Sequence, residues 1–370
     1  MYNGHPVIQK ESFVVDQTKA TVIAHSKSSV TGKEIVTFEL EFPRIILAEF
    51  NTHNALSKNA SSSRAIPVPT MLKQVRENPA FPVRFGAANA GMQDKGEHNE
   101  LVYFAGVVDH NDDPIAFTPE NAWRHCAEQA ADLAEDWYVR GYAKQICNRL
   151  IEPFQMMKVV MTATELNNFI WLRDHHMADP TIAALARKIK EAFAESTPVV
   201  LKPGDWHVPY YNDGHWIAKG SIPVPEATGW GEVVVDKFGH SLEHALVISS
   251  SCSAQVSYRK LDDTIEKARG VVSRLNLQGE EPDQPVHASP LEHQATPIAE
   301  SESALYRTNT PDNFEAFVAP FKVGTVNVLT NPSTWQEGIT HMDRDGTLCS
   351  GNLKGFIQHR QLVPNHVKVG

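Results

Sequence analysis

The chain has 370 residues, of which 42% are hydrophobic and 21% charged; this is close to ordinary globular usage and excludes wholesale disorder and a fibrous class. A formal net charge of -10 disfavours non-specific nucleic-acid binding, so any anion site must be a small local arginine cluster. The four cysteines, Cys126, Cys147, Cys252 and Cys349, form no C-x-x-C pair, which argues against a zinc knuckle or a disulfide framework and fits a reducing compartment.

The length leaves room for about two domains, or for one large domain with insertions. The opening MYNGHPVIQKESF lacks a basic segment followed by an apolar core, and no run of about 18 apolar residues occurs. A cytoplasmic protein with no membrane partner is expected.

Along the chain, Phe38, Leu40 and Phe42 alternate with Glu39 and Glu41 in TFELEF, which predicts a half-buried strand ended by Pro43. RIILAEFN then reads as a short buried helix that delivers NTHNALSKNASSSRAIP, residues 51–67, into a polar loop. Thr118 and Pro119 make a cap and first-turn pair ahead of one or two helices that end near Arg149. Thr162 and Glu165 have capping-box spacing, so a helix is expected through ELNNFIWLRDHH, with Asn168 and Arg173 roughly 140° apart around its axis. Asp179 and Pro180 open the amphipathic stripe Ile182, Leu185, Ala186, Ile189 and Phe193. TPVVLKPGDWHVPYYNDGHW predicts a long loop, with a change of organisation between about 200 and 240. GEVVVDKF and HALVISSS read as strands, and DDTIEKARGVVSRL reads as a last helix. The polar linker NLQGEEPDQP joins that helix to HASPLEH, and no internal repeat is found.

No phosphate loop is present, because TGKE at 31–34 has Lys27 where a glycine is required, and GWGEVV lacks the last glycine of a dinucleotide fingerprint. A nucleotide would instead be held by arginines converging from different elements, assisted by serine hydroxyls, since a guanidinium fork matches phosphate oxygens. Arg64, Arg149 and Arg173 are the candidates. Each charge-assisted bond contributes about 1.5–3 kcal/mol, so three suffice for useful affinity. His287 and His293 bracket Glu292, and His175 adjoins His176, but none has H-E-x-x-H spacing, so no metal site is expected.

Taken together, SKNASSSRA, NRLIEP, NNFIWLR and HASPLEH resemble the flavin-dependent thymidylate synthase (ThyX) family. The family pattern carries R-H-R, x-x-S-x-N-E-x-S-x-R, A-R-x-x-L-P, N-F-x-x-L-R and H-x-T-P-F-E-H. In the family the last of these, and an upstream A-A-R-V-S-F, precede the signature; here CSAQVSY (252–258) and HASPLEH (287–293) follow it. The resemblance therefore implies a circularly permuted, divergent member of α+β class, a mixed sheet with flanking helices. Residues 1–200 would carry the signature and nucleotide-binding helices, 201–244 a connecting insertion, and 245–370 the counterpart of the family's amino-terminal part within the same catalytic domain.

Position by position, the resemblance places phosphate and pyrimidine contacts on Glu49, Ser62, Ser63, Arg64, Arg149 and Arg173. Arg173 and Ser62 take catalytic roles, Arg173 by favouring charge that develops on the pyrimidine ring. Flavin contacts fall on Thr52, His53, Asn54, Asn59, Thr162, Thr164, Asn168 and Ser289. The implied reaction is reductive methylation of dUMP to dTMP with FAD, NADPH and 5,10-methylenetetrahydrofolate, in a homotetramer whose sites are shared between subunits, and with no cysteine nucleophile. The sequence departs from the pattern at Thr52-His53-Asn54, where two cations are absent, and at Ala60 and Ala65. Those departures leave open a hydroxymethylating or dCMP-directed relative, and a catalytically silent nucleotide-binding protein. Gln358, His359 and Arg360 near the carboxyl end echo the family's Q-x-x-R-H-R and would return positive charge to the site.

Overall fold

The protein, seen in a computed structural model, is described over residues 7–8, 16–91, 94–226, 229–257, 261–299, 335–343 and 346–368. Tyr258 of CSAQVSY, and residues 300–334 within the 245–370 segment, lie outside the described residues. After a short strand β1 (Val7–Ile8), alternating side chains build the long pair β2 (Lys19–Ser28) and β3 (Glu34–Pro43). Pro43 lacks an N–H for the ladder, and the chain turns there through a 3-10 turn into helix α1 (Leu47–Asn51), as TFELEF and RIILAEFN predict. Within the stretch expected to be a loop, Ser57–Ala60 forms strand β4. Helix α2 (Val68–Glu77) and strands β5 (Val102–Val108) and β6 (Pro114–Phe117) follow. Helix α3 (Pro119–Val139) starts at Thr118, whose hydroxyl accepts from the Asn121 N–H, and α4 (Lys144–Leu150) carries Arg149 in its last turn.

Strand β7 (Met156–Ala163) corrects the capping-box reading, since Thr162 sits inside it and α5 begins only at Asn167 (Asn167–Arg173) without a side-chain cap. The apolar, β-branched run MMKVVMTA pairs with β3 as far as Ala163, so ladder formation overrides the local cap pattern. Helix α6 (Pro180–Glu195) has the expected cap, Asp179, which accepts from the Thr181 and Ile182 N–H groups. The predicted long loop contains short strands β8 (Val199–Leu201), β9 (Trp206–His207) and β10 (His215–Trp216), and leads to a hairpin of β11 (Gly220–Glu226) and β12 (Gly229–Val235).

HALVISSS is a helix rather than a strand: α7 (Leu242–Ala254) starts at Ser241, whose hydroxyl accepts from the His244 N–H. Residues Val247 to Ser253 are all buried, so the segment shows an unbroken inward run instead of a helical period. Helix α8 (Ile265–Arg274) follows behind the Thr264 cap, and β13 (Ala295–Pro297), β14 (His341–Met342), β15 (Leu348–Ser350), β16 (Leu353–Lys354) and β17 (Phe356–Gln358) complete the described elements.

The largest sheet is five-stranded in the order β4-β7-β3-β2-β8, with β2 and β8 parallel and the other pairs antiparallel. Helix α6 lays Ile182, Leu185 and Ile189 against Phe38, Leu40, Met157 and Met161 on one face. Each such side chain contributes about 1.5–3 kcal/mol on burial. On the other face Ile35 packs on Ala295, Leu353 and Phe356, next to the small sheet β10-β9-β13-β17. A second core joins α7 and α8 to Trp206 and Trp216, and a third joins α2, α3 and α4. The architecture is α+β, a mixed sheet with flanking helices. Among the described residues no helix is long and apolar enough to cross a membrane.

Candidate functional site

Strand β4 is the edge of the large sheet, and side chains alternate across a strand, so Lys58 and Asn59 serve opposite faces. Lys58 Nζ donates to the carbonyls of Phe50 (3.4 Å), Asn51 (3.3 Å) and His53 (2.7 Å), closing the end of α1. On that side Arg173, the last residue of α5, gathers the predicted residues. Its Nε donates to His53 Nε2 at 2.8 Å, Nη1 is paired with Glu49 Oε1, and Nη2 makes a long contact of 3.5 Å with Thr52 Oγ1. His53 is buried and stands edge-on to Phe169 at 4.9 Å. Burial, then the charges of Arg173 and Lys58, hold the His53 imidazole below its ordinary pKa, so it accepts the Arg173 proton donor as a neutral ring. Burial raises the Glu49 carboxyl, and Arg173 opposes that shift. Burial also lowers Lys58, against the pull of Glu292. The cations next to His53 are Arg173 and Lys58.

On the opposite side of β4, Asn59 Nδ2 donates to the Ser253 carbonyl at 2.8 Å and Asn59 Oδ1 accepts from Ser289 Oγ at 2.8 Å. The contact joins SKNASSSRA to HASPLEH, segments that the resemblance assigns to one site. Around it lies a cleft of about 290 Å³ lined by Asn59, Ser62, Arg274, His287 and Ser289, among others. Arg274 escaped the sequence reading, because a basic residue in the last turn of a helix is ordinarily explained by the helix dipole.

The turn after β4 is held from α4. Asn148, fully buried, donates through Nδ2 to the Ser63 and Ile66 carbonyls, each at 2.9 Å, and the Arg64 N–H donates to Ser62 Oγ at 3.2 Å. Arg64 and Arg149 are both exposed beside this turn. Among the described residues no hydrogen bond or ion pair links Arg64, Arg149 and Arg173 within one chain. Asn54 and Asn168 are exposed, and Thr164 Oγ1 accepts from the Lys354 N–H at 2.9 Å.

Thr162 has no open face. Its hydroxyl lies 2.7 Å from Thr37 Oγ1 and 2.8 Å from His293 Nδ1, while Thr37 reaches His207 Nε2 at 2.8 Å and His207 Nδ1 reaches Ser26 Oγ at 2.7 Å. This buried chain crosses the sheet. Burial drives His207 well below its ordinary pKa and His293 down to about 3, so both are neutral. Among the described residues no group of three or more His, Cys, Asp or Glu side chains converges as a metal site requires.

The carboxyl-terminal echo folds against the same region. Gln358, buried, donates through Nε2 to the Glu292 carbonyl (3.2 Å), Asn352 Oδ1 (3.0 Å) and Ser57 Oγ (3.4 Å). Arg360 is paired with Glu292, so its charge is matched locally, and His359 stands edge-on to Trp206 at 5.9 Å. Burial raises the thiols of Cys252 to about 12 and Cys349 to about 11, which leaves neither as a ready nucleophile.

No protein-family model matches the chain. No curated protein matches it either. Among solved structures the similarity is weak and partial. A UMP/dUMP methylase, PolB from Streptomyces cacaoi bound with 5-Br UMP, is 14% identical with a TM-score of 0.36, over 49% of this chain and 90% of that one. The Helicobacter pylori thymidylate synthase ThyX with FAD and dUMP is 18% identical with a TM-score of 0.27, over 43% of this chain and 67% of that one.

Proposed function

We propose that the protein is a flavin-dependent enzyme that modifies a pyrimidine nucleoside monophosphate, and specifically that it methylates dUMP to dTMP with FAD, NADPH and methylenetetrahydrofolate. The observation that carries this reading is the 2.8 Å contact between Asn59 and Ser289, which brings together two motif segments 230 positions apart. The residues around them suit a flavin and a nucleotide in kind: amide, hydroxyl, imidazole and guanidinium groups on an exposed strand edge. They do not enclose one. The cleft, about 290 Å³, is open to solvent, and in this reading a second copy supplies its other wall.

In this reading Asn59 and Ser289 of one subunit and His53 of another hold the flavin, Arg64 and Arg149 with Ser62 and Ser63 take the phosphate, and Arg173, beside His53, faces the pyrimidine. Bound FAD, charged by NADPH, supplies the reducing equivalents that make a methyl group from the transferred methylene. Glu49 and His53 fix the Arg173 guanidinium in advance, leaving Nη2, with its single long contact, to meet charge that develops on the base. Residues 1–200 and 245–370 form one permuted catalytic domain, assembled as a tetramer.

Incubation of purified protein with FAD, NADPH, methylenetetrahydrofolate and dUMP, with dCMP in parallel, tests the proposal by the mass of the nucleotide product. A methyl gain on dUMP is expected. A hydroxymethyl gain, or reaction of dCMP alone, replaces the substrate assignment. No change on either nucleotide with flavin bound rejects the enzyme.

A further inference from the structure

A basic side chain in the last turn of a helix ordinarily answers the carbonyl end of that helix, but at the end of α8 those carbonyls already have backbone partners. Val271, Val272 and Ser273 accept from the N–H groups of Leu275 (3.1 Å), Leu277 (2.9 Å) and Asn276 (3.0 Å), and Leu275 accepts from the His287 N–H at 3.2 Å. Arg274 is exposed, lines the cleft beside Asn59 and Ser289, and makes no hydrogen bond or ion pair among the described residues. The bond to Leu275 fastens His287 next to it. The His287 side chain lines the same cleft and is likewise without a partner among the described residues.

Much of the remaining polar lining is spent within the protein. Asn59 and Ser289 bond each other, and Asn59 Nδ2 is committed to the Ser253 carbonyl. Among the described residues that line the cleft none is an aspartate or glutamate, and Arg274 is the one lysine or arginine. In a protein of net charge -10 that makes the cleft a local site for an anion. Val271, Leu275 and Pro290 supply apolar wall beside it, which suits an anionic group joined to an uncharged ring. We propose that Arg274 and His287 form a diphosphate-binding end of the cleft, which, resting on the flavin reading above, holds the phosphoanhydride of FAD. Under that reading the nucleotide's phosphate goes to Arg64 and Arg149, so the anion left for the cleft of Asn59 and Ser289 is the flavin's own. A guanidinium fork meets two phosphate oxygens at once, and a diphosphate offers further oxygens to the imidazole.

Equilibrium dialysis of the full chain with FAD and with riboflavin, which lacks phosphate, tests the site without any assay of turnover. FAD is expected to bind about 100-fold more tightly than riboflavin. Arg274→Ala should weaken FAD about tenfold and leave riboflavin unchanged, and Arg274→Lys should fall between, because it keeps the charge without the fork. His287→Ala should weaken FAD about threefold. Both side chains are exposed and unpartnered, so the variants should melt with the wild type. Inorganic pyrophosphate should displace FAD, and succinate should not. Equal wild-type affinity for FAD and riboflavin, FAD binding indifferent to Arg274→Ala, equal losses of FAD and riboflavin, or displacement by succinate as effective as by pyrophosphate would each overturn the proposal. If no flavin binds while calorimetry finds pyrophosphate held through Arg274, the anion site stands and the flavin reading fails; if neither binds, both fail.

Discussion

Arg173 commits its donors to His53, Glu49 and Thr52, an arrangement that needs the planar fork of a guanidinium. Lysine keeps the charge but cannot bond His53 and Glu49 in one plane. Arg173→Lys is therefore expected to retain flavin while turnover falls by about 100-fold or more, in line with loss of a preplaced donor to developing charge. Unchanged turnover, measured beside flavin absorbance, would place Arg173 away from the base. Thr162 invites the opposite expectation, because both of its neighbours in the buried chain are protein atoms. Thr162→Val interrupts Thr37 and His293 and should lower stability by about 1–3 kcal/mol, with the flavin content of the folded fraction unchanged. Flavin loss without a lower melting temperature would restore Thr162 to the cofactor.

The same scale sets the acid response. His25, His53, His207, His215, His293 and His359 all have pKa values lowered by burial relative to the ordinary 6.5. Below that value the unfolded chain binds protons that the folded chain refuses, so stability is complete above about pH 6.5 and declines as pH falls. For His293 and His359 the decline continues toward about 3 and about 4. Each histidine contributes up to about 1.4 kcal/mol per pH unit across its own window. Melting temperatures at pH 7.5, 6 and 5 should fall steeply, and a flat profile would mean that these rings are protonated in the fold.

At the scale of elements, local chemistry was legible wherever the cap and the apolar stripe agreed. Asp179 with Ile182, Leu185 and Ile189 announced α6, and Thr118 with Pro119 announced α3. Where the two signals parted, sequence misled. HALVISSS looks like a strand because burial of Val247 to Ser253 erases the 3.6-residue period, although Ser241 stands at its start as a cap. Ser241→Ala should cost about 1 kcal/mol by denaturant unfolding. A strand would be indifferent to the change, so a null result would contradict a helix there. Short β4 was hidden for another reason: SKNA has no apolar alternation, and its pairing to Val160 and its neighbours exists only once β7 is in place. The site shows the same division. Asn59, Ser289 and Gln358 could be named from motifs, whereas Lys58 and Arg274 act from positions that only tertiary placement creates.

For the whole molecule, the outer surface of α3 and α4 bears on how the candidate site is completed. Ala127, Ala131 and Ala134 bury the narrow inner stripe of α3, while Leu133, Trp137, Tyr138 and Val139 stay exposed, 40–69% of each being accessible. Tyr142, just before α4, and Ile146 and Leu150 on it are exposed as well, near Arg149. Trp171 and Leu172 form a smaller exposed pair beside Arg173. Single exposed apolar residues are ordinary; under the proposed function this run is the face that meets a second subunit. Under the proposed function, one subunit offers Arg64 and Arg149 to the phosphate while another offers Arg173 to the base. Arg149→Ala and Arg173→Ala homo-oligomers should then each be inactive. Mixing them under conditions that allow subunit exchange creates sites that draw one intact arginine from each parent, so a fraction of wild-type turnover should return. Recovery should vanish when Leu133→Asp and Trp137→Asp are added to both parents, and light scattering should show that the same change lowers the assembled mass. If mixing restores nothing while exchange is confirmed by mass, the arginines belong to one chain and the shared-site arrangement fails.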